Sequence, residues 1–408
     1  MRYPTDATTR SLGVLLFFTV FAGDFWQNLL GGWGHLALAV AITAAVAVVM
    51  TRRRLWRRLD PRRFPRTLVL VAAFAVVSVA WSASPGGSAL GLVAQAAVTL
   101  GALFLCVALS WPRLVAALST ALCWILGLSV AFELIAAVFV RAPILPFWGG
   151  STTPWTQAAL FTGGPVQGIV GDSGLLAFVA VLAGLVLGVQ LAQRLRRRIP
   201  TLVWIGIAVA LLALTRSLVA LAALVIAAAM LGALLLARRL GPGRRVAVMV
   251  GIAVVTALAV VAVLVFAPTL QTQNVWNGVW SQLGVVGVLL AAALVVGTWH
   301  RLWWFAIDDP LDSLGLPIRQ VPITLAPALV FTALIVQTFF DAGPLAHAGW
   351  LVLVVFALKS KLDQTAVSLD LANGAERVNP LPARASNTQS SNTVVPHRTP
   401  TVLSRMKG

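Results

Sequence analysis

The sequence predicts an all-α, polytopic integral membrane protein, and three observations carry that prediction. Of 408 residues, 59% are hydrophobic and 10% are charged, whereas a soluble domain is about 45–50% apolar and about 25% charged. The mean hydropathy is +0.92. Apolar runs of crossing length recur along the chain, separated by short links rich in arginine. So little polar surface cannot solvate a globule of this size, which excludes a soluble enzyme, a coiled coil and a disordered chain.

A helix needs about 20 apolar residues to cross a hydrocarbon layer of about 30 Å. The first run, 11–29, follows a basic segment with no small-residue cleavage site behind it, and reads as a retained helix rather than a signal peptide. It is followed by runs at 33–50, 67–83, 88–110, 114–139, 169–192, 199–214, 217–236, 246–267, 278–297, 321–339 and 348–359. The seventh and the twelfth are the shortest of the marginal ones. Residues 1–361 form the transmembrane domain in this reading. Residues 362–408, rich in Ser, Asn, Thr and Pro, form a disordered cytoplasmic tail.

Charge sets the orientation. The net charge is +18, but the cations arrive in bursts between apolar runs, which marks topology rather than nucleic-acid binding. With both termini in the cytoplasm, the inner links take Arg52, Arg53, Arg54, Arg57, Arg58, Arg62, Arg63 and Arg66. They also take Arg113, Arg194, Arg196 to Arg198, Arg238, Arg239, Arg244, Arg245, Arg301, Arg319, Lys359 and Lys361. With the cations of the two terminal segments this makes 28 of the 30 Lys and Arg residues, leaving only Arg141 and Arg216 outside. Adding or removing one helix destroys the alternation, so twelve crossings are expected in a multi-pass protein of the plasma membrane.

Ionisable groups at membrane depth are costly and mark function by default. Asp24, Asp172, Arg216 and Asp341 fall at outer helix ends, and only Glu133 lies about two turns inside. That is too sparse for a proton-coupled transporter and points to binding or chemistry at the outer surface. Arg216 fits either a phosphate clamp or a helix-end anchor snorkelling to lipid headgroups. Asp172, before Ser173, fits an N-cap. Glu133 has two candidate partners, Arg141 and Arg216, or carries a proton. Trp148 and Trp155, in the longest outer link (141–167), fit an interfacial belt or a sugar-stacking platform. Asp308 and Asp309 read as a solvated helix end. Cys106 and Cys123 lie inside apolar runs and build neither a disulfide framework nor a metal site.

Several segments together resemble the O-antigen ligase family, which includes oligosaccharide-repeat polymerases. Residues 79–85 look like its outer link after the third helix, and 167–176 like the start of its sixth. Leu214, Thr215, Arg216 and Ser217 resemble the Ser-Arg motif that opens its eighth, and 273–287 the His-Asn…Leu-Gly-x-x-Gly stretch that opens its tenth. Residues 303–310 and 349–353 are also similar, so the likeness spans about 11–361. The resemblance implies transfer of an undecaprenyl-diphosphate-linked glycan to an acceptor hydroxyl of a glycan or lipid on the outer leaflet, without nucleotide sugar, metal or other cofactor. It implies diphosphate binding by Arg216, with Arg141 the other outer cation, and leaves Asp172, Glu133 and Asp341 as candidate bases.

The sequence departs from the family where a long external segment normally precedes the tenth helix. Only 267–277 stands there, and Gln273 replaces the family His, with Asn274 following. Glutamine cannot take a proton as imidazole does. The alternative expectation is therefore a non-catalytic paralogue acting as scaffold or regulator among polysaccharide-assembly membrane proteins. A transporter of lipid-linked sugars is a more distant one.

Overall fold

The computed structural model describes residues 7–59, 64–82, 84–148, 153–266, 274–308, 322–340 and 345–362. Among them the chain is made of helices and irregular links, with one isolated extended pair, Ile144 and Thr156, bridged within a loop. Twelve α-helices follow in order: α1 (Ala7–Phe21), α2 (Gly23–Arg52), α3 (Arg66–Val77), α4 (Pro85–Ala108), α5 (Trp111–Ile135) and α6 (Ser173–Ala192). The rest are α7 (Arg198–Thr215), α8 (Leu218–Arg239), α9 (Pro242–Phe266), α10 (Val275–Ile307), α11 (Leu325–Thr338) and α12 (Leu345–Leu362). Each overlaps a predicted run, and α2 overlaps both the first and the second. Among the described residues, α2, α4, α5 with its continuation to Val140, α6, α7, α8 and α10 are long and apolar enough to cross a membrane; α1, α3 and α11 are shorter. The chain is a helical, membrane-embedded protein. The expected tail lies outside the described residues.

Helices α6 and α11 form the interior, with nearly every side chain of α11 buried. Helix α6 packs on α5, α7, α8 and α11, and α11 on α8, α10 and α12, while α9 rests on α8 and α3 on α10. In lipid this packing is driven by close van der Waals contact rather than by apolar burial, which favours small residues at interfaces. Helix α8 buries Ala220, Ala223, Ala227, Met230, Leu234 and Ala237, a three-four spacing that lines one face. Indole–threonine hydrogen bonds pin helices across these seams: Trp350 Nε1 donates to Thr99 Oγ1 at 2.9 Å, Trp299 to Thr332 at 3.3 Å and Trp276 to Thr338 at 3.3 Å.

Polar contacts gather the basic residues at one end of the bundle. Arg53, at the end of α2, donates to Thr9 at the start of α1. Arg238, ending α8, donates to Ala306 O at the end of α10 and to Thr324 just before α11. Lys361, ending α12, donates to Phe64 O ahead of α3. Lys359 is fully buried and donates to Cys106 O at 3.0 Å and Leu109 O at 2.6 Å, with its ammonium 5.6 Å from the Trp111 ring. There it satisfies the last carbonyls of α4, where the helix dipole favours a cation. Arg245 stands 3.9 Å from Asp308, which ends α10; Asp309 lies outside the described residues. Odd helices start at this basic end and even helices finish there.

Two bends depart from straight helices. Gly31 (φ 74°, ψ 174°) divides α2 into segments 23–30 and 32–52, and Gly284 (φ 65°, ψ −165°) divides α10 into 275–283 and 285–307. Those dihedrals belong to a region that only glycine occupies freely. Both sit in the pattern Leu-Gly-x-x-Gly: Leu30, Gly31, Gly34 and Leu283, Gly284, Gly287. The second glycine matters too. A Cβ at Gly34 would come within 2.6 Å of the Leu30 Cβ, and one at Gly287 would meet Leu283 still more closely. The chain therefore turns back within one residue. If α10 were straight, Trp276 and Trp299 would stand about 34 Å apart, yet their partners Thr338 and Thr332 lie about 9 Å apart along α11. Segment 275–283 thus folds back along 285–307 and lies on the end of α11, where Trp276 stacks on Phe339 at 5.5 Å. The first reversal falls between the predicted runs 11–29 and 33–50, so α1 and segment 23–30, hinged at Ala22, together make up the first run.

Gly31→Ala should cost about 1–3 kcal/mol, because the added Cβ would also stand 3.1 Å from the Trp148 Cβ. Gly32→Ala, with nothing within 4 Å of its Cβ, should leave thermal unfolding in detergent unchanged or slightly higher. Equal melting temperatures for the two variants would contradict the turn.

Candidate functional site

The loop end of the bundle is built around the link from α5 to α6. Helix α5 closes in a π-helical turn, Ala136–Val140, and Arg141 ends it in the left-handed conformation (φ 53°). The link then crosses to α2. Breaking the helix at Gly31 leaves the carbonyls of Asn28 and Leu29 without helical partners. Phe147 N–H donates to Asn28 O at 3.2 Å and Trp148 Nε1–H to Leu29 O at 2.9 Å. Trp148 lies directly against Gly31. Residues 149–152 are outside the described set.

The returning strand of the link is tied beneath by one carboxylate. Glu133 is 1% exposed, and its Oε1 accepts from Thr156 Oγ1 at 2.8 Å, Gln167 N–H at 3.1 Å and Gly168 N–H at 2.8 Å. One turn earlier on α5, Ser129 Oγ accepts from Ile169 N–H at 3.2 Å. Gly168, at φ 62°, comes so near that a Cβ there would lie 2.6 Å from Ser129 Oγ. Trp155 is 3% exposed, donates its indole N–H to Ile169 O at 2.8 Å and lies 4.6 Å from the Phe132 ring. An apolar loop at this depth needs its backbone amides satisfied from within, and Glu133 and Ser129 supply the acceptors. Glu133 Oε2 is buried and makes no hydrogen bond.

These contacts revise several expectations. Glu133 pairs with neither Arg141 nor Arg216; its partners are backbone amides and a threonine hydroxyl. Trp155 is part of the loop's own core, while Trp148, 63% exposed, remains at the rim. Asp172 is the N-cap of α6, its Oδ1 accepting from Leu175 N–H at 2.6 Å. Arg141 is exposed and turns its Nε back to Val138 O at 3.1 Å. Asn274 caps α10 by accepting from Asn277 N–H at 2.7 Å. Gln273 and Asp341 lie outside the described residues.

Arg216 differs from all of these. It joins α7 to α8 in the left-handed conformation (φ 53°, ψ 28°), where glycine is the usual residue. Its side chain is exposed, and no hydrogen bond or ion pair ties the guanidinium to another described residue. The loop approaches it twice: Val166 N–H lies 3.5 Å from Leu214 O, and a Cβ on Gly163 would stand 3.7 Å from Arg216 Nη2. The next residue, Ser217, caps α8 by accepting from Ala220 N–H at 3.2 Å. Arg216 therefore stands at the positive end of a 22-residue helix, a setting that favours an anion. Sequence reasoning found Arg216 from its motif. It missed Thr156, Gln167 and Ser129, which carry no local pattern.

Among the described residues, no three His, Cys, Asp or Glu side chains gather in a way that could hold a metal ion. No protein-family model and no curated protein matches the sequence, and no solved structure matches the fold.

Glu133→Gln keeps the carbonyl-type acceptor for the three donors and should hold the loop. Glu133→Ala strands them and should cost about 3 kcal/mol or more. Hydrogen exchange at 156–169 reads the difference, with fast exchange expected only in the alanine variant. Equal protection in both variants would remove Glu133 as the anchor.

Proposed function

We propose that this chain is a multi-pass plasma-membrane protein that handles a polyprenyl-diphosphate-linked glycan at the outer leaflet. It does so in the manner of O-antigen ligases and polymerases, within cell-surface polysaccharide assembly. Arg216 holds the diphosphate. The chain crosses twelve times with both termini cytoplasmic; the gathering of Arg53, Arg238, Lys359 and Lys361 at one end of the bundle, with Arg141 and Arg216 at the other, supports that orientation.

Arg216 is the observation that carries the reading. A left-handed arginine is less stable than a glycine by about 1 kcal/mol, its guanidinium is free, and it adjoins a helix N-terminus. A planar guanidinium suits a phosphate oxygen pair, and the adjoining helix N-terminus favours the same negative charge. Glycosyl transfer needs in addition a base that reaches the acceptor hydroxyl. In this loop Glu133 is enclosed and bonded, and Asp172 caps a helix. Those two facts favour the second reading, a non-catalytic paralogue that binds the lipid carrier as scaffold or regulator.

Arg216→Lys keeps the charge but loses the fork, and should weaken binding of an undecaprenyl diphosphate ligand about tenfold. Arg216→Gly should weaken it further while leaving the melting temperature unchanged or higher. Equal affinity of wild type and the lysine variant would return Arg216 to the role of a headgroup anchor. Incubating the reconstituted protein with lipid-linked oligosaccharide and acceptor separates the two readings: new product means transfer, and binding without product means a scaffold.

Orientation is tested separately by cysteine scanning in intact cells. Cysteines placed in 52–66 should resist an impermeant reagent and those at the exposed loop positions 153, 157 and 162 should react; labelling of 52–66 would invert the topology.

A further inference from the structure

At the basic end, the turn after α2 is built differently from the other basic links. It closes as a single 3-10 turn, Leu55–Arg58, entered through Arg54 in the left-handed conformation. Leu55 is 1% exposed and belongs to the bundle core, and the turn packs on α2 and α4. Arg54, Trp56 and Arg57 are exposed around that anchor, Trp56 presenting 41% of its surface. Arg53 is engaged by Thr9. Arg58 is only partly exposed; its Nη1 is fully enclosed and has no hydrogen-bond acceptor. Lys361 reaches into the same region, donating to Phe64 O at 3.2 Å.

We propose that this turn is a binding site for the headgroup of an anionic phospholipid in the adjoining leaflet. The exposed guanidinia of Arg54 and Arg57 donate to the lipid phosphate, and the exposed part of Arg58 adds a third positive charge beside it. Trp56 lies at headgroup level beside the acyl chains, as indoles do at membrane interfaces. A lipid is favoured over free phosphate because the turn is fixed at the end of two apolar helices and carries an exposed indole among its cations. The link between α6 and α7 provides the contrast. It is as rich in arginine but has no tryptophan, and its one partly buried guanidinium, Arg196, already donates to Thr120 at 3.4 Å. Charge alone would make the two links equivalent; the turn anchored by Leu55 and its exposed indole make them different. The site is independent of the outer-leaflet function.

Native mass spectrometry of the full chain, titrated with phosphatidylglycerol or phosphatidylcholine, tests the proposal. Phosphatidylglycerol should bind more tightly than phosphatidylcholine. The exposed pair Arg54→Gln and Arg57→Gln should weaken it about fivefold per arginine, and Arg58→Lys should weaken it also. The matched pair Arg197→Gln and Arg198→Gln should change it less than twofold. Equal losses from the two pairs would reduce the site to general charge attraction, and equal binding of the two lipids would abolish it. Inorganic phosphate at millimolar concentration should not displace the lipid; displacement would mean a soluble phosphate site instead. Arg54 and Arg57 are exposed, so their variants keep the comparison valid if Arg58→Lys unfolds.

Discussion

Every backbone group that leaves a helix inside an apolar layer must find its partner in the protein, because the surroundings offer none. The loop end of this molecule is organised around that constraint. Gly31 breaks α2 and frees two carbonyls; the far link returns to cap them with an amide and an indole. The same link then carries its own amides down to Glu133 and Ser129. One carboxylate oxygen taking three donors is an economical answer where water is scarce, and it makes α5 the floor on which the loop stands. At the opposite end Lys359 solves the complementary problem, supplying donors to the unpaired carbonyls of α4.

A consequence is that conspicuous polar residues here divide into those that hold the chain and those that face outward. Glu133, Asp172 and Asn274 hold the chain: each is engaged by backbone amides at a helix end or loop. Arg216 faces outward with its hydrogen bonds unspent and in a backbone conformation that suits glycine better. Stored strain at an exposed, unengaged cation is the kind of outlier from which function is properly inferred. The left-handed Arg54 and Arg194 at the basic end have a simpler reason to be cations, since that is where the chain concentrates them.

Much of the scaffold was legible in the sequence because hydropathy and arginine placement are long-range, redundant signals. All twelve apolar runs overlap helices, and the first reversal falls in the gap between the runs 11–29 and 33–50. Asp172 was readable as a cap because a cap is a local device. Glu133 was not readable: its donors at 156, 167 and 168 lie 23 to 35 residues along the chain, and nothing in its immediate neighbours announces them. Trp155 misled for a related reason, since a tryptophan in an outer link looks the same whether it meets lipid or the folded interior of that link. The fold-back at Gly284 was also hidden, because an unbroken apolar run has the same hydropathy whether it is straight or doubled over.

That doubled-over segment changes what counts as one crossing. Helix α11 has 14 residues, about 21 Å of length against a hydrocarbon thickness of about 30 Å. Segment 275–283 lies against its end through the Trp276–Thr338 hydrogen bond and the Phe339 stack, and makes up length that α11 lacks. Two pieces of chain more than forty residues apart in sequence then share one column of the bundle. The nine residues 275–283 add about 13 Å to the 21 Å of α11, so the column reaches the thickness of the hydrocarbon layer although neither piece does so alone.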